Sequence, residues 1–400
     1  MFLISWIVSI TLLISGLLWS PYLHAQGGGD KQYVMITFDG ARNLSMWDAT
    51  HEIAEKYDAR LTYFVSGVYF LNDEAKFLYR PPGKSAGQSA IGFGRSEDEV
   101  SRRVAAVYRA MGAGHEISSH ANGHYRGGLV TWRGVTEGLD WDFDQWSQEF
   151  EDFNGFLWDV YDNQNIRNGI SERKWKKRLE NQVHGFRAPN LSINPAMNRA
   201  LGEIYSDGNF FQKFSYDSSG AKTITKPSRK AQGYWDLPLG HISIDGSDRR
   251  TIAMDYNFYV FDSKAKHDSE NTQLYRERYY KSLRNYFLEQ YSGRRGPVII
   301  GNHFATWNNG AYYMGLVDFM REVCRKADVE CITMAEYAEI TENRSRTSLS
   351  LGFAPSGVPE WAIGDWHEAL GDRSVATACT PESHGDEVDE DLLKELMNQY

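Results

Sequence analysis

The stretch that decides the fold is YVMITFDG, residues 33–40, an apolar run that ends in an aspartate and a glycine. An uninterrupted apolar run of this length, closed by a turn signal, is typical of a strand buried on both faces. A helical pattern follows over residues 46–57, and a second apolar run follows over residues 60–65. These residues predict a strand, a helix and a second strand packed as one unit.

The same alternation continues along the chain. Residues 96–111 have helical spacing, and Ser96 and Glu99 stand at the spacing of a capping box. Further predicted strands lie at 115–120, 183–187, 214–217, 298–303 and 329–334, and further predicted helices at 146–161, 275–291 and 315–326. Strands that alternate with helices predict an α/β fold, with a parallel sheet and outer helices.

Candidate catalytic residues stand where the predicted strands end, namely Asp39, His120, Arg187, Asp217 and His303. The carboxyl ends of parallel strands share one face of the fold, where catalytic side chains are usually found. Asp39 could act as a general base or merely cap the following turn, and Arg187 could keep a carboxylate ionised or form a structural ion pair. His303 could protonate a leaving amine or be an ordinary core histidine.

Two imidazoles stand four residues apart in His120-Ala121-Asn122-Gly123-His124. Histidines at this spacing can bind one divalent cation if they lie on one turn of the chain. A pair of this kind also arises by chance in a sequence with 11 histidines, so the pair is a weak signal when taken alone.

Five regions in order strengthen these weak signals. They are 37–39 (TFD), 114–124 (GHEISSHANGH), 187–189 (RAP), 216–219 (YDSS) with 235–238 (WDLP), and 298–303 (VIIGNH). Together they resemble the motifs of the polysaccharide deacetylase family, which carries the NodB-homology domain, and most nearly its chitin-deacetylase-like branch. The resemblance extends from about Tyr33 to Ile340.

The resemblance implies a distorted (β/α) barrel that removes acetyl groups from a polymer containing N-acetylglucosamine, with the help of a divalent metal, expected to be zinc. By matching position, His120 and His124 would bind the metal and Asp39 would be the general base. His303 would be the general acid. Arg187 would orient Asp39, and Asp217 would tune His303. The backbone N–H of Asn190 would bind the oxyanion, and Trp235 and Trp307 would contact the substrate.

One position departs from the family pattern. The second aspartate of the first motif is normally a metal ligand, and here it is Gly40. The metal would then bind through the two histidines with water or with another carboxylate, for which Asp255 is a candidate by residue type only. Two alternatives to a metal-assisted deacetylase stay open: a carbohydrate-binding pseudoenzyme on the same fold, and a metal-independent amidohydrolase.

Composition excludes some classes of function. Among 400 residues, 43 basic against 53 acidic side chains leave a net charge of −10, so a nucleic-acid partner is not expected. Residues 381–400 hold seven of the acids and one lysine, which makes this end a solvated acidic segment. Five of the twelve tryptophans lie in residues 131–176, where they either stack on sugars or pack a helical insertion against the barrel.

The two ends of the chain differ from its middle in residue composition and pattern. Residues 1–25 are predicted to be a signal peptide or an N-terminal membrane anchor, so the protein is expected to be secreted or periplasmic, or to stay attached to the membrane by this segment. Residues 30–342 are predicted to form the deacetylase domain, and residues 343–400 an irregular acidic tail. Cys324 and Cys331 could form a disulfide or be two small buried side chains.

Overall fold

The computed structural model of the protein describes residues 31–132, 135–207 and 214–350. The strands are β1 (Gln32–Gly40), β2 (Thr62–Val65), β3 (Glu116–Ser119), β4 (Leu129–Trp132), β5 (Val135–Gly138), β6 (Gly185–Phe186), β7 (Tyr216–Asp217), β8 (Ala221–Lys222), β9 (Ser228–Arg229), β10 (Trp235–Asp236), β11 (Leu239–Ser243), β12 (Arg250–Ile252), β13 (Val298–His303) and β14 (Val329–Cys331). The helices are α1 (Leu44–Lys56), α2 (Glu97–Gly112), α3 (Phe143–Trp158), α4 (Val160–Asn163), α5 (Glu172–Leu179), α6 (Pro195–Asp207), α7 (Asp255–Ser263), α8 (Thr272–Tyr291), α9 (Trp307–Val323) and α10 (Met334–Ser350).

The central strand is β1, and all nine of its residues are buried. It pairs in parallel with β13, β2 and β14. The sheet continues through β3, β6, β7 and β10 in parallel and ends with the antiparallel β9. A strand with neighbours on both edges and packed helices around it is buried on both faces, which explains the uninterrupted apolar run.

The sheet curls into a half-barrel surrounded by helices, which confirms the predicted distorted (β/α) barrel. A smaller sheet of β12, β11 and β8 lies next to β13, to which it is joined by a parallel bridge between Met254 and Gly301. This bridge matters for the site, because α7 begins directly after Met254. The capping box predicted at the start of α2 is present, with Ser96 accepting from the backbone N–H of Glu99.

The tryptophans of the insertion mainly pack the fold. Trp141, Trp146 and Trp175 are buried, and Trp146 packs against Phe150 and against Phe186 of the barrel. Their burial favours the helical insertion over a row of sugar-stacking platforms.

The predicted tail boundary at residue 343 falls inside α10, which continues to Ser350. Residues 343–350 are therefore helical, while 351–400 and the predicted N-terminal segment 1–25 lie outside the described residues. Cys324 and Cys331 form a disulfide between the end of α9 and β14. In the part of the chain that the structure describes, no helix has the length and apolar character needed to cross a membrane.

Candidate active site

Two strand ends bring the centre of the site together. Asp39 near the end of β1 is paired in register with His303, the last residue of β13. Asp39 is buried, whereas the side chain of His303 is 19% exposed. An acidic and a basic side chain therefore meet at the carboxyl face of the sheet, with His303 open to solvent.

Asp39 is held by a buried arginine. Nη1 of Arg187, which follows β6, donates to Oδ1 of Asp39 at 2.8 Å and to Oγ1 of Thr37 at 2.7 Å. The other guanidinium nitrogens donate to the carbonyl and hydroxyl of Ser218 at 3.3 and 2.9 Å. Burial raises the pKa of Asp39, but the positive charge of Arg187, with His120 and His303 nearby, outweighs burial and lowers the pKa below 3.8. Asp39 is thus an ionised carboxylate at neutral pH.

His303 has its own carboxylate partner, and this partner is Asp255. Nδ1 of His303 donates to Oδ1 of Asp255 at 2.7 Å, and the backbone N–H of His303 donates to Oδ2 at 2.8 Å. Since both carboxylate oxygens bind His303, the imidazole is held with Nε2 facing away from Asp255. Nε2 can then exchange a proton with a substrate.

The role predicted for Asp217 is corrected by these contacts. Oδ1 of Asp217 accepts from the backbone N–H and the hydroxyl of Ser219, at 3.0 and 2.5 Å. The hydroxyl of Ser219 in turn accepts from the backbone N–H of Ala188, next to Arg187. Asp217 therefore supports the segment that carries Arg187, and Asp255 is the residue that orients His303.

The two histidines of the second motif lie side by side on the turn after β3. Their ring centroids are 5.1 Å apart. Nδ1 of His120 lies 2.8 Å from the carbonyl of Arg187; since a carbonyl only accepts, Nδ1 carries the proton and Nε2 keeps a lone pair. Burial lowers the pKa of His120, and burial with the neighbouring His120 and His303 lowers that of His124 to about 3. Both imidazoles are neutral, as metal ligands or hydrogen-bond acceptors must be.

The implied zinc would need a third protein ligand beside His120 and His124. Catalytic zinc sites use three protein ligands, and the described residues contain no group of three His, Cys, Asp or Glu side chains arranged to hold a metal. Asp255, the substitute considered from its residue type, binds His303 instead. Gly40 has no side chain, and its φ of 98° is a conformation that favours glycine. The residues present do not fit a three-ligand metal site.

Trp307 and Asn190 are two further predicted site residues, and they lie near His303 and near Arg187 respectively. Trp307 packs on His303 with ring centroids 5.3 Å apart and stacks on Tyr259 at 5.0 Å. Asn190 follows Pro189, three residues after Arg187, and its φ of 55° is left-handed. The Oδ1 atom of Asn190 and the Nε1 atom of Trp307 are buried and have no hydrogen-bond partner among the residues that the structure describes.

Trp235 lies elsewhere, which corrects its predicted role in substrate binding. It lines a cavity of about 560 Å³ together with Gly114, His184 and Ser215, each of which precedes a strand of the sheet. Its Nε1 donates to Glu342 of α10 at 3.2 Å. This cavity is at the amino ends of the strands, so Trp235 is on the opposite side of the barrel from Asp39.

The sequence matches no protein-family model and no curated protein. Solved structures similar to it include a proposed polysaccharide deacetylase from Mycobacterium smegmatis, with 18% identity, a TM-score of 0.49, and 79% of this chain and 92% of that chain covered. An allantoinase, PuuE, has 12% identity, a TM-score of 0.44 and coverage of 78% and 90%.

The peptidoglycan deacetylase PdaC from Bacillus subtilis has 10% identity, a TM-score of 0.40 and coverage of 81% and 98%. At these identities and TM-scores, the likenesses assign neither an activity nor the role of any residue. The chemistry of this chain is therefore argued below from its own site.

Proposed function

We propose that the chain hydrolyses the amide bond of N-acetyl groups on an amino-sugar polymer, with acetate and a free amine as products. The observation that carries the proposal is the pair Asp39 and His303, set opposite each other and each held by a different charged partner. An amide needs a base for the attacking water and an acid for the departing nitrogen. The ordered motifs that resemble the polysaccharide deacetylase family support the substrate class.

The reaction follows from the two protonation states. The oxygen of a water molecule attacks the acetyl carbonyl carbon while Asp39, ionised beside Arg187, takes one of its protons. The carbon–nitrogen bond then breaks, and the imidazolium of His303 gives its Nε2 proton to the nitrogen that leaves. Asp255 stabilises the imidazolium through Nδ1. Water and amide are consumed, and acetate and amine are formed.

His120 and His124 are assigned to orientation. Each offers an uncharged ring, and Nε2 of His120 keeps a lone pair because its Nδ1 donates to Arg187. A lone pair in this position can accept a hydrogen bond from the attacking water or from a substrate hydroxyl. No step is derived through a metal, because the donor set has two of the three ligands that such a site needs.

A second candidate function is favoured by Gly40. If the family reaction depends on the missing carboxylate, the chain would bind an acetylated polysaccharide without cleaving it. The hydrolysis derived above takes no step through a metal, so it is the metal-independent form of the activity that the two-histidine donor set favours. The predicted export segment agrees with a polymer outside the cytoplasm for the hydrolase and for the binding protein alike.

One experiment separates these functions. The full chain is incubated with chitooligosaccharides and with acetylated peptidoglycan fragments, and acetate release and binding are measured with and without a chelator. We expect acetate release that falls about 100-fold or more in Asp39→Asn and His303→Ala, with binding retained. His184→Ala, a histidine at the opposite end of the barrel, is the matched control. Binding with no acetate from the wild type would instead support the second function, and activity lost on addition of the chelator would show that a metal assists the hydrolysis.

A further inference from the structure

The turn that carries His120 and His124 is strained. Ala121 has a φ of 53° and His124 a φ of 59°, both in the left-handed region that side chains with a Cβ avoid. Each such residue costs free energy and persists only where its surroundings hold it in place. The contacts that hold this turn therefore decide where the two imidazoles point.

A buried carboxylate from α3 holds the turn from one side. Glu149 is fully buried, and its Oε1 accepts from the backbone N–H of Asn122, midway between the two histidines, at 2.9 Å. Its backbone carbonyl accepts from Nδ2 of Asn122 at 2.7 Å. The backbone N–H and the side-chain amide of Asn122 are thus both bound to Glu149 of α3.

A tyrosine completes the same set of contacts. The hydroxyl of Tyr79 donates to Oε2 of Glu149 at 3.0 Å and accepts from the backbone N–H of Gly123 at 3.2 Å. Two successive N–H groups of the turn, those of Asn122 and Gly123, therefore bind this Glu149–Tyr79 pair. On the other side, the backbone N–H of Gly67 donates to the carbonyl of Ala121 at 2.9 Å.

The burial of Glu149 lowers the stability of the fold unless other contacts compensate it. A carboxylate taken out of water costs free energy unless a charge or hydrogen bonds compensate it. Among the described residues no lysine or arginine forms an ion pair with Glu149, and its neighbours on α3 include the buried Phe150 and Phe153. A carboxyl group kept on the buried face of the amphipathic helix α3, with its hydrogen bonds made to the histidine turn and to Tyr79, indicates a role at that turn.

We propose that Glu149 and Tyr79 are positioning residues that hold the strained turn so that His120 and His124 face the Asp39–His303 pair. Neither residue is used in the reaction derived above, and both act through Asn122 and Gly123. The effect on catalysis rests on the proposed function, whereas the effect on the turn does not.

The test compares Glu149→Leu, which removes both carboxylate contacts, with Glu149→Gln, which keeps an oxygen for the N–H of Asn122. Tyr79→Phe removes the hydroxyl, and with it both the contact to Gly123 and the contact to Glu149. Asp318→Leu is the matched control, because it removes a largely buried carboxylate that binds Arg276 between the outer helices α8 and α9. Hydrogen exchange of the Asn122 and Gly123 amides and the ring-nitrogen NMR signals of His120 are read in each full-length variant.

In Glu149→Leu we expect the amides of Asn122 and Gly123 to exchange roughly tenfold faster. The NMR signals of His120 should no longer report a single tautomer with the proton on Nδ1. Glu149→Gln should stay close to the wild type in both readouts. Asp318→Leu should leave both readouts unchanged. If the wild type releases acetate, kcat should fall about 100-fold in Glu149→Leu with KM little changed, and recover in Glu149→Gln.

Unchanged amides and imidazole signals in Glu149→Leu would overturn the proposal, as would an unchanged kcat in an active protein. A wild type that releases no acetate would overturn the proposed function alone, because the two spectroscopic readouts still decide whether the turn is held in this way.

Discussion

Asp39 and His303 are register partners at the carboxyl ends of β1 and β13, yet their charges are controlled by separate buried residues. Arg187 binds the carboxylate at 2.8 Å, and Asp255 binds the imidazole at 2.7 Å. A base and an acid that act at one pH need opposite protonation states. Under the proposed function, separate partners let the fold supply both states at neighbouring strand ends.

The Asp255–His303 contact predicts a large effect of Asp255→Asn. An amide in place of the carboxylate would no longer stabilise the imidazolium, so we expect kcat to fall about 100-fold or more while substrate binding persists. Steady-state acetate release on the full chain measures both quantities.

Asp217→Asn is the control for this prediction, because asparagine keeps the Oδ1 atom that binds the N–H and hydroxyl of Ser219. We expect kcat to change less than about tenfold in this variant, since Asp217 acts only through Ser219 on the segment that carries Arg187. A larger loss of kcat in Asp217→Asn than in Asp255→Asn would show that Asp255 is not the residue that supports His303.

The Arg187–Asp39 pair predicts how activity depends on pH. Because the folded-state pKa of Asp39 is lowered, the base stays ionised down to below pH 3.8, and the acid limb of kcat/KM should not come from Asp39 above that pH. Arg187→Met removes the charge but keeps the burial, so the pKa of Asp39 rises and the acid limb moves to higher pH. The pH profile of kcat/KM measures this shift.

Two companion variants accompany Arg187→Met. Thr37→Val removes one acceptor of the guanidinium and leaves the Asp39 contact, so its acid limb should stay where it is in the wild type. Loss of a buried ion partner costs about 3–5 kcal/mol, so Arg187→Lys, which keeps a positive charge, serves if the methionine variant does not fold. An acid limb that is the same with Met and with Arg would contradict the assignment of the base.

Much of the site could be predicted from the sequence because it follows from one local rule. An apolar run that ends in a polar residue is a buried strand with a side chain at its carboxyl end, and parallel strands bring such ends together. Asp39 and His303 meet in register for this reason. Neither residue needs a contact that only the tertiary structure reveals.

Asp255 and Trp235 could not be placed in the same way. Asp255 begins α7 after a short strand, and it reaches His303 only through the long-range bridge between Met254 and Gly301. Trp235 is the first residue of β10 and lies at the amino ends of the strands, whereas Asp39 and His303 lie at their carboxyl ends. Closeness to a motif along the chain therefore did not predict closeness to the site.

The buried His115, which lies against the half-buried His51, predicts a loss of stability in acid. Nδ1 of His115 accepts from the backbone N–H of Leu61 at 3.1 Å, and its Nε2 lies 3.3 Å from Nδ1 of His51. Burial, then the charges of His51 and Arg60, lowers the pKa of His115 to about 4. Between the unfolded value of 6.5 and about 4, the unfolded chain binds a proton that the folded chain refuses, so stability falls as the pH falls through this window.

The expected loss is about 3 kcal/mol between pH 7 and pH 4. Urea unfolding of His115→Asn should show a smaller change in the free energy of unfolding between these pH values, because the titrating ring is gone. His184→Asn, at a partly exposed histidine, should keep the wild-type change. Equal pH dependence in His115→Asn and the wild type would show that His115 is not the group responsible.

Gly40 predicts the affinity of the site for zinc. The position follows Asp39 directly, and in the family that the motifs resemble it carries a metal-binding aspartate. With two imidazoles and no third ligand among the described residues, the wild type should bind zinc weakly. Gly40→Asp supplies a carboxylate, so we expect zinc affinity to rise about 10–100-fold in calorimetric titrations.

The same substitution should destabilise the protein, because φ at Gly40 is 98° and a side chain there is strained by about 1–3 kcal/mol. Gly40→Ala is the matched control: it carries the same backbone strain without a ligand, so it should lose similar stability and gain no zinc affinity. His120→Ala in the Gly40→Asp background should abolish the gain. If zinc binds Gly40→Ala as tightly as Gly40→Asp, the carboxylate is not what the site lacks, and the two histidines bind zinc without help from position 40.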